Sequence, residues 1–217
     1  MSKGVVLFSG GQDSTTCLYW AKVVFDEVQA LSFDYGQKHR VELDAGAAIA
    51  ELAGVERAVV AVPSFAQLSD TALVGSQDIA QPDGELPTTF LPGRNLVFLS
   101  IAAGLAAERG IADIVTGICQ TDYSGYPDCR DEFRIAMEQA ASVGTAQVLR
   151  IHAPLMWLTK AETVRLARRL PGCWDALALS HTCYKGQRPA CGECPACRLR
   201  AKGFADAGET DPACVAI

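Results

Sequence analysis

The chain is poor in aromatic residues and has no long apolar run. Phe, Trp and Tyr make up 7% of its 217 residues, and nowhere does it approach the roughly 20 apolar residues of a membrane span, so no membrane partner is expected. The apolar run in the opening MSKGVVLF is too short for the core of a secretory signal. A soluble, cytoplasmic protein is therefore expected. Basic charge is also scarce. Lys and Arg number 19 against 25 Asp and Glu, a formal net charge of -6. Such a surface repels phosphate backbones, which favours a small-molecule substrate over nucleic acid. Cysteine, by contrast, is plentiful: 9 residues, an odd number at uneven spacing. That pattern argues against a disulfide framework and for metal ligands beside buried thiols.

At 49% hydrophobic and 20% charged, the chain can bury a sizeable core, and its length suits one compact domain with a small appendage. The apolar runs Val5 to Ser9, Val28 to Asp34, Arg57 to Val62, Asp113 to Ile118 and Val148 to Pro154 are continuous rather than alternating, as in strands buried on both faces. Between them, Ser14 to Val23, Arg40 to Ala53, Asn95 to Arg109, Asp131 to Ser142 and Lys160 to Leu170 carry apolar residues at helical spacing. Alternation of this kind predicts an α/β fold, a doubly wound parallel sheet, with ligands at the carboxyl ends of its strands. Leu68 to Gly93, rich in proline, glycine and small polar residues, is expected to be a long loop over the active edge. The helical period gives way at Cys173, so the expected units are residues 1–172 and a C-terminal zinc-binding segment, 173–217.

The first strand runs into SGGQDS, Ser9 to Ser14. At a strand-to-helix junction this is an anion site: Gly10 and Gly11 permit positive φ or close approach of a phosphate, and the helix N-terminus presents free N–H groups. Asp13, Ser14 and Thr15 suit the first turn, as caps or as ligand groups. The loop lacks the lysine of G-x-x-x-x-G-K-[ST] and is not G-x-G-x-x-G. Substituting Gly10 or Asp13 is expected to remove phosphate contacts and leave the core intact.

The four thiols Cys183, Cys191, Cys194 and Cys197 are spaced C-x7-C-x2-C-x2-C. Four thiolates in so short a stretch match a closed, tetrahedral structural zinc site, with an iron–sulfur cluster as the alternative. His181 is read as a bystander, and Cys17, Cys119, Cys129, Cys173 and Cys214 as thiols.

SGGQDS after an apolar strand resembles the pyrophosphate loop, S-G-G-x-D-S, of the N-type ATP pyrophosphatases (PP-loop proteins), which activate a carboxylate or amide oxygen by adenylation. FDYGQKHR (Phe33 to Arg40), PGRN (Pro92 to Asn95), TDYSGYPDCRDEF (Thr121 to Phe133), PLMWLTKAET (Pro154 to Thr163) and the cysteine cluster together resemble the 7-cyano-7-deazaguanine synthase family of queuosine precursor biosynthesis, from Val5 to about Gly203.

The resemblance implies an adenine nucleotide alpha hydrolase-like sheet. It implies ATP held by Phe8, Ser9, Gly10, Gly11, Gln12, Asp13, Ser14, Thr15, Thr16, Cys17 and Leu18, with Mg2+ shielding the phosphates. Asp13, Ser14, Lys160 and Arg94 become the catalytic candidates, Lys160 stabilising the departing pyrophosphate and Arg94 meeting a phosphate or carboxylate. Tyr35, Gln37, Asp122, Tyr126, Arg130 and Asp131 become the substrate candidates, Tyr35 for stacking and Asp122 for the donor edge of a guanine-like base. The implied reaction takes 7-carboxy-7-deazaguanine, free ammonia and ATP to the nitrile through an acyl adenylate and an amide, in a homodimer. The alternatives are a tRNA thiolase of the same superfamily with Cys119 and Cys129 as sulfur carriers, a relative that attaches a deazaguanine to a macromolecule, and a nucleotide-sensing module without turnover.

Overall fold

The computed structural model describes residues 1–80, 85–121 and 125–215. Five strands, β1 (Lys3–Leu7), β2 (Glu27–Asp34), β3 (Glu56–Ala61), β4 (Asp113–Val115) and β5 (Arg150–His152), form one sheet in the order β3-β2-β1-β4-β5. Every pairing is parallel, with Val5 beside Gln29 and Ile114, and Ile114 beside Ile151. The doubly wound parallel sheet expected from the sequence is thus present. Strand order reverses between β1 and β4, so the crevice beyond their carboxyl ends is the topological switch point, where such sheets bind ligands.

The helices are α1 (Gln12–Val24), α2 (Val41–Ala53), α3 (Ser64–Leu68), α4 (Arg94–Glu108), α5 (Asp131–Thr145), α6 (Lys160–Arg169), α7 (Cys173–Leu179), α8 (Pro195–Ala207) and α9 (Pro212–Val215). Side chains alternate across each strand. Val6, Phe8 and Ala30 therefore join a core with Leu18, Ile49, Val164, Leu177 and Phe204 from α1, α2, α6, α7 and α8, while Val5, Leu7 and Leu31 join a second core with Leu99, Ala102, Met137 and Leu149. Cys173, Ala176 and Leu177, at the start of the C-terminal segment, pack in the first of these. A third, small cluster gathers Cys183, Cys194, Ala196 and Cys197.

Two local devices aim the site. Thr159 caps α6 with a full capping box, its side chain accepting from the Glu162 N–H and the Glu162 carboxylate accepting from the Thr159 N–H, which fixes Lys160 at the first helical position. The long loop after α3 is tied to the β2 edge by the Lys38 N–H donating to the Leu73 carbonyl at 2.9 Å, and it buries Leu73, Thr89 and Leu91.

Candidate active site and cysteine centre

A cavity of about 840 Å³ opens at the switch point. Its floor is the glycine loop. The Ser14 Oγ accepts from the N–H groups of Ser9 and Gly10, both at 3.2 Å, and lies 3.2 Å from the Gly11 carbonyl and 3.1 Å from the Ser9 Oγ. No side chain caps α1 at Gly11, so its N-terminus faces the cavity as an anion-binding end. The Lys160 Nζ donates to the Asp13 Oδ2 at 2.7 Å, while the Asp13 Oδ1 and both amide atoms of Gln12 are buried without a hydrogen-bond partner among the described residues.

The two glycines have different jobs. Gly10 has φ +96°, and a Cβ there would stand 2.5 Å from the Glu42 carbonyl and 2.6 Å from the Gly46 nitrogen. Gly10 therefore lets α2 approach the loop, and replacing it disturbs packing as well as phosphate binding, contrary to the expectation above. Gly11 is extended, φ -79°, and needs no positive φ.

Of the expected nucleotide residues, Phe8, Ser9, Gly11, Gln12, Asp13 and Ser14 line the cavity. Thr15, Thr16, Cys17 and Leu18 do not. They follow the first turn of α1 and are fully buried, Cys17 and Leu18 within the core, because a helix presents only its end to an anion. Thr16 instead donates back to the Gln12 carbonyl at 3.0 Å.

On the opposite wall stand Tyr35, Arg94 and Tyr126. Tyr35 hydrogen-bonds Arg94. The Tyr126 hydroxyl meets the Thr89 hydroxyl at 2.5 Å and also hydrogen-bonds Tyr184. Burial pushes both phenols up, so both are neutral, and the Tyr35 hydroxyl accepts from the Arg94 guanidinium. Phe65 and Phe98 back the Tyr35 ring at 6.3 and 5.5 Å.

Three expected substrate residues have their side chains engaged with protein partners. Gln37 borders the cavity, but its Oε1 accepts from the Tyr35 N–H at 2.8 Å and its Nε2 donates to the Phe33 carbonyl at 3.1 Å. Its amide is consumed in shaping the turn that presents Tyr35. Arg130 is exposed and pairs with Glu132, and Asp131, at the start of α5, pairs with Arg134 at 2.6 Å; neither lines the cavity. Asp122 lies outside the described residues.

Other lining residues were not singled out from the sequence: His39 from the DYGQKHR segment, Glu42 from the first turn of α2, Thr89 from the long loop, and Tyr184 beside the first cysteine of the cluster. The place of His39 in the turn between β2 and α2, and of Tyr184 directly after Cys183, was the available signal. Cys119 and Cys129 also line the cavity. Each is engaged, Cys119 with the Leu158 carbonyl at 3.4 Å and Cys129 with the Asn95 Nδ2 at 3.6 Å.

Beside this cavity the Sγ atoms of Cys183, Cys191, Cys194 and Cys197 all lie within 4.8 Å of one another. The Cys191–Cys197 separation, 3.8 Å, is about the edge of a tetrahedron with 2.3 Å metal–sulfur bonds. The Cys191 and Cys194 N–H groups donate to the sulfurs of Cys183 and Cys191 at 3.5 and 3.3 Å, as thiolates require. Burial pushes the Cys191 thiol up, but N–H donors from Cys194 and Glu193 outweigh it and bring the group to about 7. The four cysteines can hold a metal ion. His181 stays outside the set, its N–H donating to the Gly10 carbonyl at 3.0 Å. Away from this cluster, burial raises the Cys173 thiol to about 12.

A parallel sheet with an S-G-G-x-D-S loop at its switch point, opposed by a lysine heading a helix, defines a PP-loop protein. The fold is similar to that of the U34-tRNA thiolase NcsA from Methanococcus maripaludis, solved with its 4Fe-4S cluster, at TM-score 0.52 and 17% identity over 94% of this chain and 65% of that one. The model of the family described as "Queuosine biosynthesis protein QueC" matches residues 3–208, and the chain belongs to that family. It is 57% identical over 212 residues to the 7-cyano-7-deazaguanine synthase of Laribacter hongkongensis, covering 96% of this chain and 92% of the relative. The synthase of the same name from Chromobacterium violaceum is 53% identical over 216 residues, with 97% and 92% covered. Its role is therefore in queuosine precursor biosynthesis, as an enzyme. Among the described residues, no helix is long and apolar enough to cross a membrane.

Proposed function

We propose that the chain converts 7-carboxy-7-deazaguanine, ammonia and ATP into 7-cyano-7-deazaguanine, as a C–N bond-forming ligase. The observation that carries this reading is a single cavity in which a pyrophosphate-type loop faces a wall of neutral phenols and the half-buried Arg94. ATP lies with its phosphates on the α1 N-terminus and Lys160, which stabilises charge as pyrophosphate leaves. Arg94 holds the substrate carboxylate near the α-phosphorus, and the Tyr35 and Tyr126 rings border the flat heterocycle. The carboxylate oxygen attacks the α-phosphorus to give the acyl adenylate. Ammonia displaces AMP and loses one proton to give the amide; a second adenylation, on the amide oxygen with loss of one N–H proton, then lets AMP leave as the remaining N–H proton is lost and the nitrile forms. No side chain becomes covalently attached.

The unpaired, buried Oδ1 of Asp13 fits a hard cation, and Mg2+ bound there supplies shielding of the phosphate charge. The four cysteines fit Zn2+, which supplies folding energy rather than chemistry. The same reading takes the protein as a cytoplasmic homodimer without a nucleic-acid substrate, checked by sedimentation and by a tRNA gel shift at physiological salt. The chemistry is tested with synthetic 7-amido-7-deazaguanine. With ATP and no added ammonia it is expected to yield the nitrile, AMP and pyrophosphate. An inert amide contradicts the second adenylation.

A further inference from the structure

Much of the cavity wall is cationic, with Arg94, Lys160, Arg198 and Lys202 lining it. Beside the glycine loop the character changes to acceptors. His39 Nε2 lies 3.3 Å from the Glu42 Oε2, the ring is 5% exposed, and its Nδ1 is buried with no hydrogen-bond partner among the described residues. The other carboxylate oxygen, Oε1, reaches the loop itself, 2.9 Å from where a Cβ on Gly11 would stand. The next residue, Gln12, is 2% exposed and has an equally unpartnered Oε1. Buried polar atoms are rarely left so without a missing ligand.

The ligand's chemistry follows from the set. In the tautomer whose Nε2–H donates to Glu42, the imidazole presents a lone pair at Nδ1. A carboxylate nearby attracts a cation, yet His39 and Glu42 do not converge with a third His, Cys, Asp or Glu closely enough to hold a metal. A small cation that binds through its own N–H groups fits instead. The location suits a nucleophile too, because His39 and Glu42 line the same cavity as Tyr35 and Arg94, the residue assigned to the substrate carboxylate. The cysteine loop closes over it, with the Tyr184 ring 6.0 Å from the His39 ring.

We propose that His39 and Glu42, with Gln12 beside them, form the subsite that binds ammonium and deprotonates it. This rests on the synthase reading above. One proton passes from ammonium to His39 Nδ1, and Glu42 stabilises the imidazolium. The nitrogen lone pair then forms the C–N bond at the acyl carbon, the C–O bond to AMP breaks, and AMP leaves with the bonding pair. The second proton leaves the nitrogen to solvent as the amide forms, and His39 returns its own proton to solvent.

The two half-reactions separate this role from a structural one, because conversion of the amide to the nitrile consumes no ammonia. Rates of acid-to-amide and amide-to-nitrile conversion are measured for the wild type, His39→Asn and Glu42→Gln. Their ratio is expected to fall about 100-fold in His39→Asn, the usual worth of a general base, with a raised KM for ammonium in Glu42→Gln. Hydroxylamine, uncharged at neutral pH, needs no deprotonation, so hydroxamate formation from the acid is expected to fall far less than amide formation. A ratio unchanged within about twofold, or equal losses with ammonium and hydroxylamine, overturns the proposal. A wild type inert on both acid and amide overturns the synthase reading, and this one with it.

Discussion

The glycine loop before α1 and the cysteine loop before α8 are both short turns ending at a helix N-terminus, and they reach order by opposite means. In the first, one serine hydroxyl gathers the N–H groups of Ser9 and Gly10 and lies against the Gly11 carbonyl, while α2 fills the space against Gly10. In the second, four sulfurs crowd within 4.8 Å of one another without a covalent bond, an arrangement that a metal ion turns from repulsive to stabilising. The contrast teaches where the substrate site gets its rigidity. The phosphate floor is preorganised by the fold, while the wall that carries Tyr184 adjoins four cysteines that can hold an ion.

The largest expected effect breaks the second loop alone. Structural zinc sites contribute on the order of 10 kcal/mol of binding free energy, so chelation or Cys194→Ser should unfold the cysteine loop, lower the melting temperature more than any change below, and abolish turnover. Calorimetry with elemental analysis checks this, and wild-type protein without zinc would remove the assignment.

Gly10→Ala attacks the first loop through its packing. A left-handed φ and a Cβ pressed on α2 backbone together cost about 3 kcal/mol. Asp13→Asn changes stability by only about 1 kcal/mol yet should abolish pyrophosphate release. Urea denaturation beside a pyrophosphate assay separates the two. A Gly10→Ala protein of normal stability would show that the loop does not need α2.

Gln37→Ala sharpens the idea that a turn can hold itself. Losing the bonds to Tyr35 and Phe33 should cost about 1–2 kcal/mol and raise the KM for the acid several-fold, because Tyr35 loses its support. An unchanged KM would detach Tyr35 from substrate binding.

The smallest effect lies far from either loop, where Asp113 joins Arg150 at 2.7 Å and His152 at 2.7 Å. Burial pushes the Asp113 carboxyl up, but its bonds to Arg150 and His152 outweigh this and hold it below the usual range. Its folded value lies under the unfolded one, so its stabilisation is present above about pH 4 and is lost as pH falls through the lowered folded value. Asp113→Asn should remove that acid dependence, at about 1 kcal/mol or less, read from melting temperatures between about pH 5 and about pH 2.

The sheet was legible because its central strands β1, β2 and β4 are largely buried, so Val5, Leu31 and Ile114 sit in continuous apolar runs. SGGQDS and the cysteine spacing were legible because both chemistries are local. The opposite wall was not. Gln37 has the composition of a ligand group and the bonds of a turn, and nothing in the order of residues shows which of the two an amide serves. Arg130 and Asp131 sit in a stretch dense with charge, but α5 begins there and sends them to Glu132 and Arg134. Tyr184, His39 and Thr89 come from three distant segments, and only folding brings them to one cavity.

The central claim is that one glycine loop activates both oxygens of the same carboxyl group. Its most direct test is to incubate the purified protein with 7-carboxy-7-deazaguanine, ammonium, ATP and Mg2+, identify the product by mass spectrometry, and count AMP against it. The account predicts the nitrile with two AMP and two pyrophosphate for each molecule formed. ADP and phosphate in place of AMP and pyrophosphate, or one AMP per nitrile, would contradict it.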